Sequence, residues 1–365
     1  MSSAEDQAYL ARAFALADRA VVRVSPNPKV GAVLVRNGAV VGEGLHLGPG
    51  TAHAEAAAIA AAGEAARGAT LYVTLEPCCH FGHTPPCTKA IIAAGIARVV
   101  TPIEDPNPQV AGRGFAELRA AGVEVVVGPG ADVALAQNAA YLHWRRTGRP
   151  YVTAKWALSL GGQSAARTGQ SLYMTGPEAR AEAHRLRAAH DAVLVGIGTA
   201  LADDPQLTVR DARGPSPLRV VLDSEARLPV SSRMLAAEGR TIVYVGTGAP
   251  LERLKPLAER AEVVAIGQGP RLPLNAVLDD LGRRDVTSLL VEGGATVHGE
   301  MFDQTLVDRV AVFVAPLVLG GRTAPPGVAG IGAASPAAGL RLRDGNWRVL
   351  GADACFTATV KREAT

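Results

Sequence analysis

The feature that most restricts this chain is an alternation of helix-period and strand-period segments, interrupted once at Thr147-Gly148-Arg149-Pro150. Before the interruption, Ser3 and Asp6 form an approximate capping box, and Leu10, Phe14 and Ala17 follow at helical spacing. Pro26-Asn27-Pro28 stops that helix. Segments 30–35 and 39–41 flank Asn37-Gly38, a strong hairpin signal because both residues tolerate positive φ. The pattern then predicts helix over 53–66, strand over 70–75, helix over 88–94, strand over 98–101, helix over 115–121, strand over 123–127 and helix over 132–146. A hairpin feeding alternating units predicts a mixed sheet with helices on both faces. Beyond the interruption a second alternation begins with strand 151–158. Helix 177–189 follows, with Thr175 as its cap and Pro177 and Glu178 in its first turn. Strands are expected at 192–196, 218–222, 241–245, 262–266, 288–291 and 309–315. Two α/β domains, 1–147 and 148–365, are therefore expected.

Composition narrows the function. The formal charge is +3 with no basic block, and aromatics are only 4%, which argues against a nucleic-acid partner. The longest stretch free of Asp, Glu, Lys and Arg, 323–340, holds three Pro and four Gly, so it reads as loop and not as a membrane span. The acidic start, Met-Ser-Ser-Ala-Glu-Asp, lacks the shape of a signal peptide. Of four cysteines, Cys78, Cys79 and Cys87 cluster. That clustering suggests a metal or reactive site in a reducing, cytoplasmic compartment. A homo-oligomer is left open.

His53-Ala54-Glu55 opens a predicted helix, Pro77-Cys78 follows a strand and Cys87 opens the next helix. One imidazole and two thiolates make a soft three-ligand set suited to zinc, with a fourth position for water. Zinc lowers the pKa of such a water toward neutrality. Glu55, two residues after His53, is close enough to take its proton and deliver it to a leaving amine. His-x-Glu followed by Pro-Cys-x-x-Cys is a zinc deaminase signature. Here eight residues separate Cys78 from Cys87 instead of two. A closed structural site using Cys78, Cys79, Cys87 and a His is the alternative, but it leaves Glu55 without a role.

The run Tyr72-Val73-Thr74-Leu75-Glu76-Pro77-Cys78, with His80, Gly82 and Thr84-Pro85-Pro86-Cys87, resembles the bifunctional deaminase-reductase family of riboflavin biosynthesis. So do Pro26-Asn27-Pro28-x-Val30-Gly31 and the segment from Asp105 to Gly114. The likeness continues through Ala202-Asp203-Asp204-Pro205-x-Leu207-Thr208-Val209-Arg210 and Val291-Glu292-Gly293-Gly294. It implies an N-terminal cytidine-deaminase-like mixed sheet with helices on both faces, then a dihydrofolate-reductase-like α/β domain. It implies two reactions on phosphorylated pyrimidines. Zinc-dependent deamination of 2,5-diamino-6-(5-phosphoribosylamino)pyrimidin-4-one comes first. NADPH reduction of the ribosyl group of 5-amino-6-(5-phosphoribosylamino)uracil to ribityl follows.

By the same resemblance His53, Cys78 and Cys87 hold zinc, Glu55 shuttles protons, and Asn27, His46, Asp105 and Asn107 line the substrate pocket. Asn27, Asp105 and Asn107 each precede Pro, so the residues alone equally allow a turn-building role. In the second domain Lys155 matches a catalytic position, and Ser171, Arg187, Leu207, Arg210 and Glu292 match substrate positions. Ala157, Tyr173, Thr199, Asp203, Ser224, Gly294, Ala295 and Thr296 match cofactor positions. Arg187 and Arg210 have the chemistry to clamp a phosphate. No Gly-x-Gly-x-x-Gly follows a strand here, which disfavours a Rossmann site. Two departures stand out: His83 replaces the family's usual Arg or Lys, and Ser159-Leu160-Gly161-Gly162-Gln163 lacks its usual Asp and basic residue. Two other readings compete: a nucleic-acid base deaminase with an unrelated appended domain, and a zinc-stabilised binding module without catalysis.

Overall fold

A computed structural model describes residues 4–20, 24–82, 84–171 and 174–362. Ser3, His83 and Tyr173 lie outside the described residues. The chain divides into two compact units, Met1–Gly148 and Arg149–Thr365.

Unit one runs α1 (Ala4–Asp18), β1 (Gly31–Arg36), β2 (Ala39–Leu45), α2 (Ala54–Ala62), β3 (Thr70–Val73), α3 (Cys87–Ala93), β4 (Arg98–Thr101), α4 (Arg113–Ala120), β5 (Glu124–Val127), α5 (Ala131–Gln137) and α6 (Ala139–Thr147). Its sheet orders β2-β1-β3-β4-β5. β1 is antiparallel to β2 and β3, and β3, β4 and β5 run parallel. Period-two alternation builds two cores. Ala32, Leu34, Leu71 and Val73 face α2, α3 and α4, while Val33, Val35 and Tyr72 face α1 and α5. The hairpin turn has Asn37 at φ 53° and Gly38 at φ 75°, as expected. The helix expected over 132–146 is two helices. Asn138 breaks it, because its side-chain oxygen accepts from the Lys29 N–H at 2.8 Å and its amide donates to the Lys29 carbonyl at 2.9 Å.

α2 lies directly on β2. A Cβ at Gly44 would meet the Ala54 carbonyl oxygen at 2.2 Å, and one at Gly42 the Ala58 oxygen at 2.3 Å. The two glycines thus set the height at which the start of α2 is held over the sheet. Gly44→Ala is expected to destabilise unit one by about 1–3 kcal/mol, the usual scale of overpacking. Chemical denaturation measures it, and an unchanged midpoint would show that α2 can lift away freely.

Unit two runs β6 (Tyr151–Ser159), α7 (Pro177–Ala189), β7 (Ala192–Gly196), α8 (Ile197–Asp203), β8 (Leu218–Leu222), α9 (Arg233–Ala236), β9 (Thr241–Val245), α10 (Leu251–Ala258), β10 (Glu262–Ala265), α11 (Leu274–Arg283), β11 (Ser288–Val291), α12 (Ala295–Asp303), β12 (Arg309–Ala315), β13 (Leu342–Leu350) and β14 (Asp353–Val360). The sheet orders β10-β9-β8-β7-β11-β6-β12-β14-β13. It is parallel up to β12 and antiparallel in the last hairpin. Apolar clusters cover both faces. The cap of α7 is Gly176, not Thr175. Its N–H donates to the Asp353 carboxylate at 2.7 Å, so a distant strand does the work assigned to a local side chain. No helix among the described residues is long and apolar enough to cross a membrane.

Candidate active sites

In unit one, the start of α2 and the segments following β3 and β4 converge on a cavity of about 200 Å³. Its wall includes Asn27, His46, His53, Glu55, Cys78, Asp105 and Asn107. One ligand atom each from His53, Cys78 and Cys87 lies within 4.8 Å of the others. His53 Nδ1 is 3.2 Å from Cys87 Sγ and 3.4 Å from Cys78 Sγ. The other ring nitrogen, Nε2, is 3.1 Å from Thr84 Oγ1, the kind of partner that fixes a ligand imidazole's orientation. The contact with Cys87, and then His53, favours the thiolate form of Cys78. One nitrogen and two sulfurs converging this closely fit zinc. Cys79 turns away, with its Sγ 3.5 Å from the Gln109 carbonyl oxygen.

Glu55 is 4% exposed. Burial first, then the charge of the Cys78 sulfur, pushes its carboxyl up to about 7. His46 is also buried, and burial lowers its pKa. Its Nδ1–H can only donate to the Ala52 carbonyl at 3.1 Å, so Nε2 accepts from the Asn27 amide at 2.9 Å. The two residues therefore fix one another. Asp105 accepts from the Tyr141 hydroxyl at 3.0 Å and from the Asn107 N–H at 2.9 Å. Asn107 in turn accepts from the Gln109 N–H at 3.1 Å. Asp105 and Asn107 build the turn and also stand on the cavity wall.

Sequence reasoning quoted Glu76 only within a motif. Its buried carboxylate accepts from the N–H groups of Asp105 at 3.1 Å, Gly112 at 3.0 Å and Phe115 at 3.3 Å. It thus ties the Asp105 loop and the first turn of α4 to the cysteine loop. Gly114 permits this, because a Cβ there would meet the Pro77 oxygen at 2.2 Å. Tyr141 was unrecognised because helical spacing marks it only as core.

In unit two, the ends of the central parallel strands open on a cavity of about 440 Å³, where open α/β sheets commonly bind ligands. Lys155, Ala157, Ser171, Arg187, Thr199, Asp203, Leu207, Glu292, Gly294 and Ala295, all expected from the sequence, line it. Glu292 is the hub. Lys155 Nζ lies 3.4 Å away, and Arg187 donates through Nε at 2.5 Å and Nη2 at 2.9 Å. Burial alone would raise this carboxyl. Arg187, then Lys155, overcome that and hold it down at about 2. The Ser171 hydroxyl donates to Asp203 at 3.2 Å. Leu207 is buried with φ 55°, a left-handed conformation unusual for a branched residue.

Arg187 stands on the cavity wall with its guanidinium on Glu292 and, at 3.1 Å, on the Thr208 carbonyl. Arg210 lies off the cavity wall and donates to Gln206 Oε1 at 2.9 Å and Thr208 Oγ1 at 2.8 Å. Ser224 and Thr296 are also absent from that wall. Ser224 instead accepts the Gly246 N–H at 3.0 Å. Gly294, at φ 79°, precedes α12, whose N-terminus no side chain caps. Its first-turn N–H groups, at the cavity wall through Gly294 and Ala295, fit a cofactor phosphate. At the second departure Gln163 folds back and accepts from the Ser159 hydroxyl at 2.9 Å.

A mixed sheet carrying a nitrogen-and-sulfur metal cradle beside a buried glutamate defines the cytidine-deaminase class. The second unit is a nicotinamide-dependent reductase fold. Residues 3–102 match the model for the cytidine and deoxycytidylate deaminase zinc-binding region, and residues 150–356 that for the RibD C-terminal domain. The chain is 42% identical over 329 residues to riboflavin biosynthesis protein RibD of Escherichia coli (strain K12), covering 87% of this chain and 89% of that one. It is 42% identical over 316 residues to RibD of Aquifex aeolicus (strain VF5), covering 86% and 88%. Acinetobacter baumannii RibD superposes with a TM-score of 0.89 at 35% identity, covering 98% of this chain and 99% of that one. A Thermotoga maritima structure described as a diaminohydroxyphosphoribosylaminopyrimidine deaminase/5-amino-6-(5-phosphoribosylamino)uracil reductase gives 0.86 at 33% identity, covering 98% and 99%. The chain belongs to the RibD family of bifunctional riboflavin biosynthesis enzymes, which join a zinc-dependent deaminase to an NADPH-dependent reductase.

Proposed function

We propose that residues 1–147 deaminate 2,5-diamino-6-(5-phosphoribosylamino)pyrimidin-4-one and that residues 148–365 reduce the ribosyl group of the deaminated product to ribityl. The carrying observation is the convergence of His53, Cys78 and Cys87 within 4.8 Å on a cavity that buried Glu55 also lines. These three residues would hold zinc, which supplies a Lewis acid able to ionise water at neutral pH. Glu55 takes a proton as the new C–O bond forms and returns it to the exocyclic amine as the C–N bond breaks, releasing ammonia. Its raised pKa suits a group that must both accept and donate. Asn27, His46, Asp105 and Asn107 orient the pyrimidine.

In the reductase unit, NADPH supplies the hydride. Lys155 donates a proton at the ribosyl ring oxygen, and Glu292, braced by Arg187, positions its ammonium. Ser171 and Leu207 contact substrate. Ala157, Thr199, Asp203, Gly294 and Ala295 contact the cofactor. The work is done in the cytoplasm without a nucleic-acid or membrane partner.

The test is metal content together with ammonia release. About one zinc per chain is expected. Cys78→Ala and Cys87→Ala should lose the metal and deamination together, whereas Cys79→Ala keeps both. Zinc lost from Cys79→Ala but retained in Cys78→Ala would mean that the ligand set is misassigned.

A further inference from the structure

The cavity of unit one carries a group that the deamination step does not use. Among the described residues lining it, Arg145 in α6 is the one Lys or Arg. Its Nε is buried with no hydrogen-bond partner, while its charge acts on the nearby Asp105 carboxyl and Tyr141 hydroxyl. The guanidinium lies over the Trp144 ring at 4.5 Å and the Tyr141 ring at 5.4 Å. Two aromatic faces hold the fork in place, so little side-chain freedom is lost when it binds. On the same wall His80 Nδ1 is a second buried polar atom without a partner. A buried donor left unused costs stability unless a ligand completes it. A role confined to bracing Tyr141, and through it Asp105, accounts for the ring contacts but leaves both donors unmet.

We propose that Arg145 is the specificity-determining residue that binds the phosphate monoester of the deaminase substrate, with His80 as the second donor. A guanidinium suits this task because its parallel N–H groups match two phosphate oxygens. The assignment rests on the deaminase reading above and adds to it how a phosphorylated substrate is told from its free ribosyl counterpart.

The experiment compares ammonia release from 2,5-diamino-6-(5-phosphoribosylamino)pyrimidin-4-one and from the same compound lacking its phosphate. Wild type and Arg145→Gln are assayed with both. The kcat/KM preference for the phosphorylated compound should fall about 10- to 100-fold in the variant, the scale of one or two charge-assisted hydrogen bonds. The loss should lie in KM, with zinc content unchanged. Arg145→Lys, which keeps the charge but not the fork, should lie between the two. It also serves should Arg145→Gln fold poorly: a preference unchanged in Arg145→Lys would overturn the proposal. An equal loss on both substrates would overturn it as well, making Arg145 a brace for Tyr141. Wild type releasing no ammonia from either compound would defeat the deaminase reading and this assignment with it, an outcome distinct from the other two.

Discussion

Glu55→Gln is expected to cut ammonia release by about 10²–10⁴-fold, the range for losing a positioned proton carrier. The amide is nearly isosteric with the buried carboxylic acid, so packing should survive. It cannot take up a proton at neutral pH and hand it on. The cradle of His53, Cys78 and Cys87 is untouched, so zinc content should match wild type. Reduction of the deaminated intermediate should also continue, because Lys155 and Glu292 belong to the other compact unit. Steady-state ammonia release, with zinc analysis and NADPH oxidation on the same sample, reads all three. Full deamination in this variant would remove Glu55 from the mechanism. Loss of zinc would recast it as a support of the metal cradle.

Lys155→Ala is expected to slow NADPH oxidation by about 10²–10⁴-fold while leaving deamination intact. The variant should fold, because Glu292 keeps both bonds from Arg187 when Lys155 is removed. Glu292→Ala is the informative contrast. It strands Lys155 and Arg187 together in a buried site, and breaking such a pairing costs about 3–5 kcal/mol. Thermal or denaturant unfolding should separate the two: Lys155→Ala near wild type, Glu292→Ala well below it. Rapid NADPH oxidation by Lys155→Ala would show that the ring oxygen receives its proton from elsewhere.

What the residues revealed in advance was whatever depends on neighbours in the chain. Strands 98–101, 218–222 and 288–291 are apolar runs bounded by turns, and they form where expected. Asn37-Gly38 specifies its hairpin through the φ values that those two residues tolerate. The cluster of His53, Cys78 and Cys87 is visible because its spacing across two helix starts is itself a chemical pattern. Features set by distant partners were hidden. Asn138 splits a helix only because Lys29 stands beside it. Gly176 rather than Thr175 caps α7 because Asp353 reaches it from β14. β13 was missed since it is exposed along almost its whole length and shows no alternation. That Arg187 pairs with Glu292 depends on two segments more than a hundred residues apart in the chain. Arg210, Ser224 and Thr296 match motif positions and are not among the residues that line the cavity. Glu76 and Arg145 lay in a motif and a helix that both had been read, but their roles depend on which groups the fold leaves unpaired.

The central claim is that one chain performs two reactions in a fixed order. Its most direct measurement is to supply 2,5-diamino-6-(5-phosphoribosylamino)pyrimidin-4-one to the purified zinc-loaded chain, with and without NADPH. Ammonia, NADPH and the carbon product are then followed together. Without NADPH, one ammonia should appear per substrate, and the product should stop as the ribosylamino-uracil phosphate. With NADPH, one cofactor should be oxidised per ammonia released, after a lag, and the product should be the ribityl compound. NADPH consumed before any ammonia appears would contradict the order, and ammonia released with no NADPH oxidised would contradict the second activity.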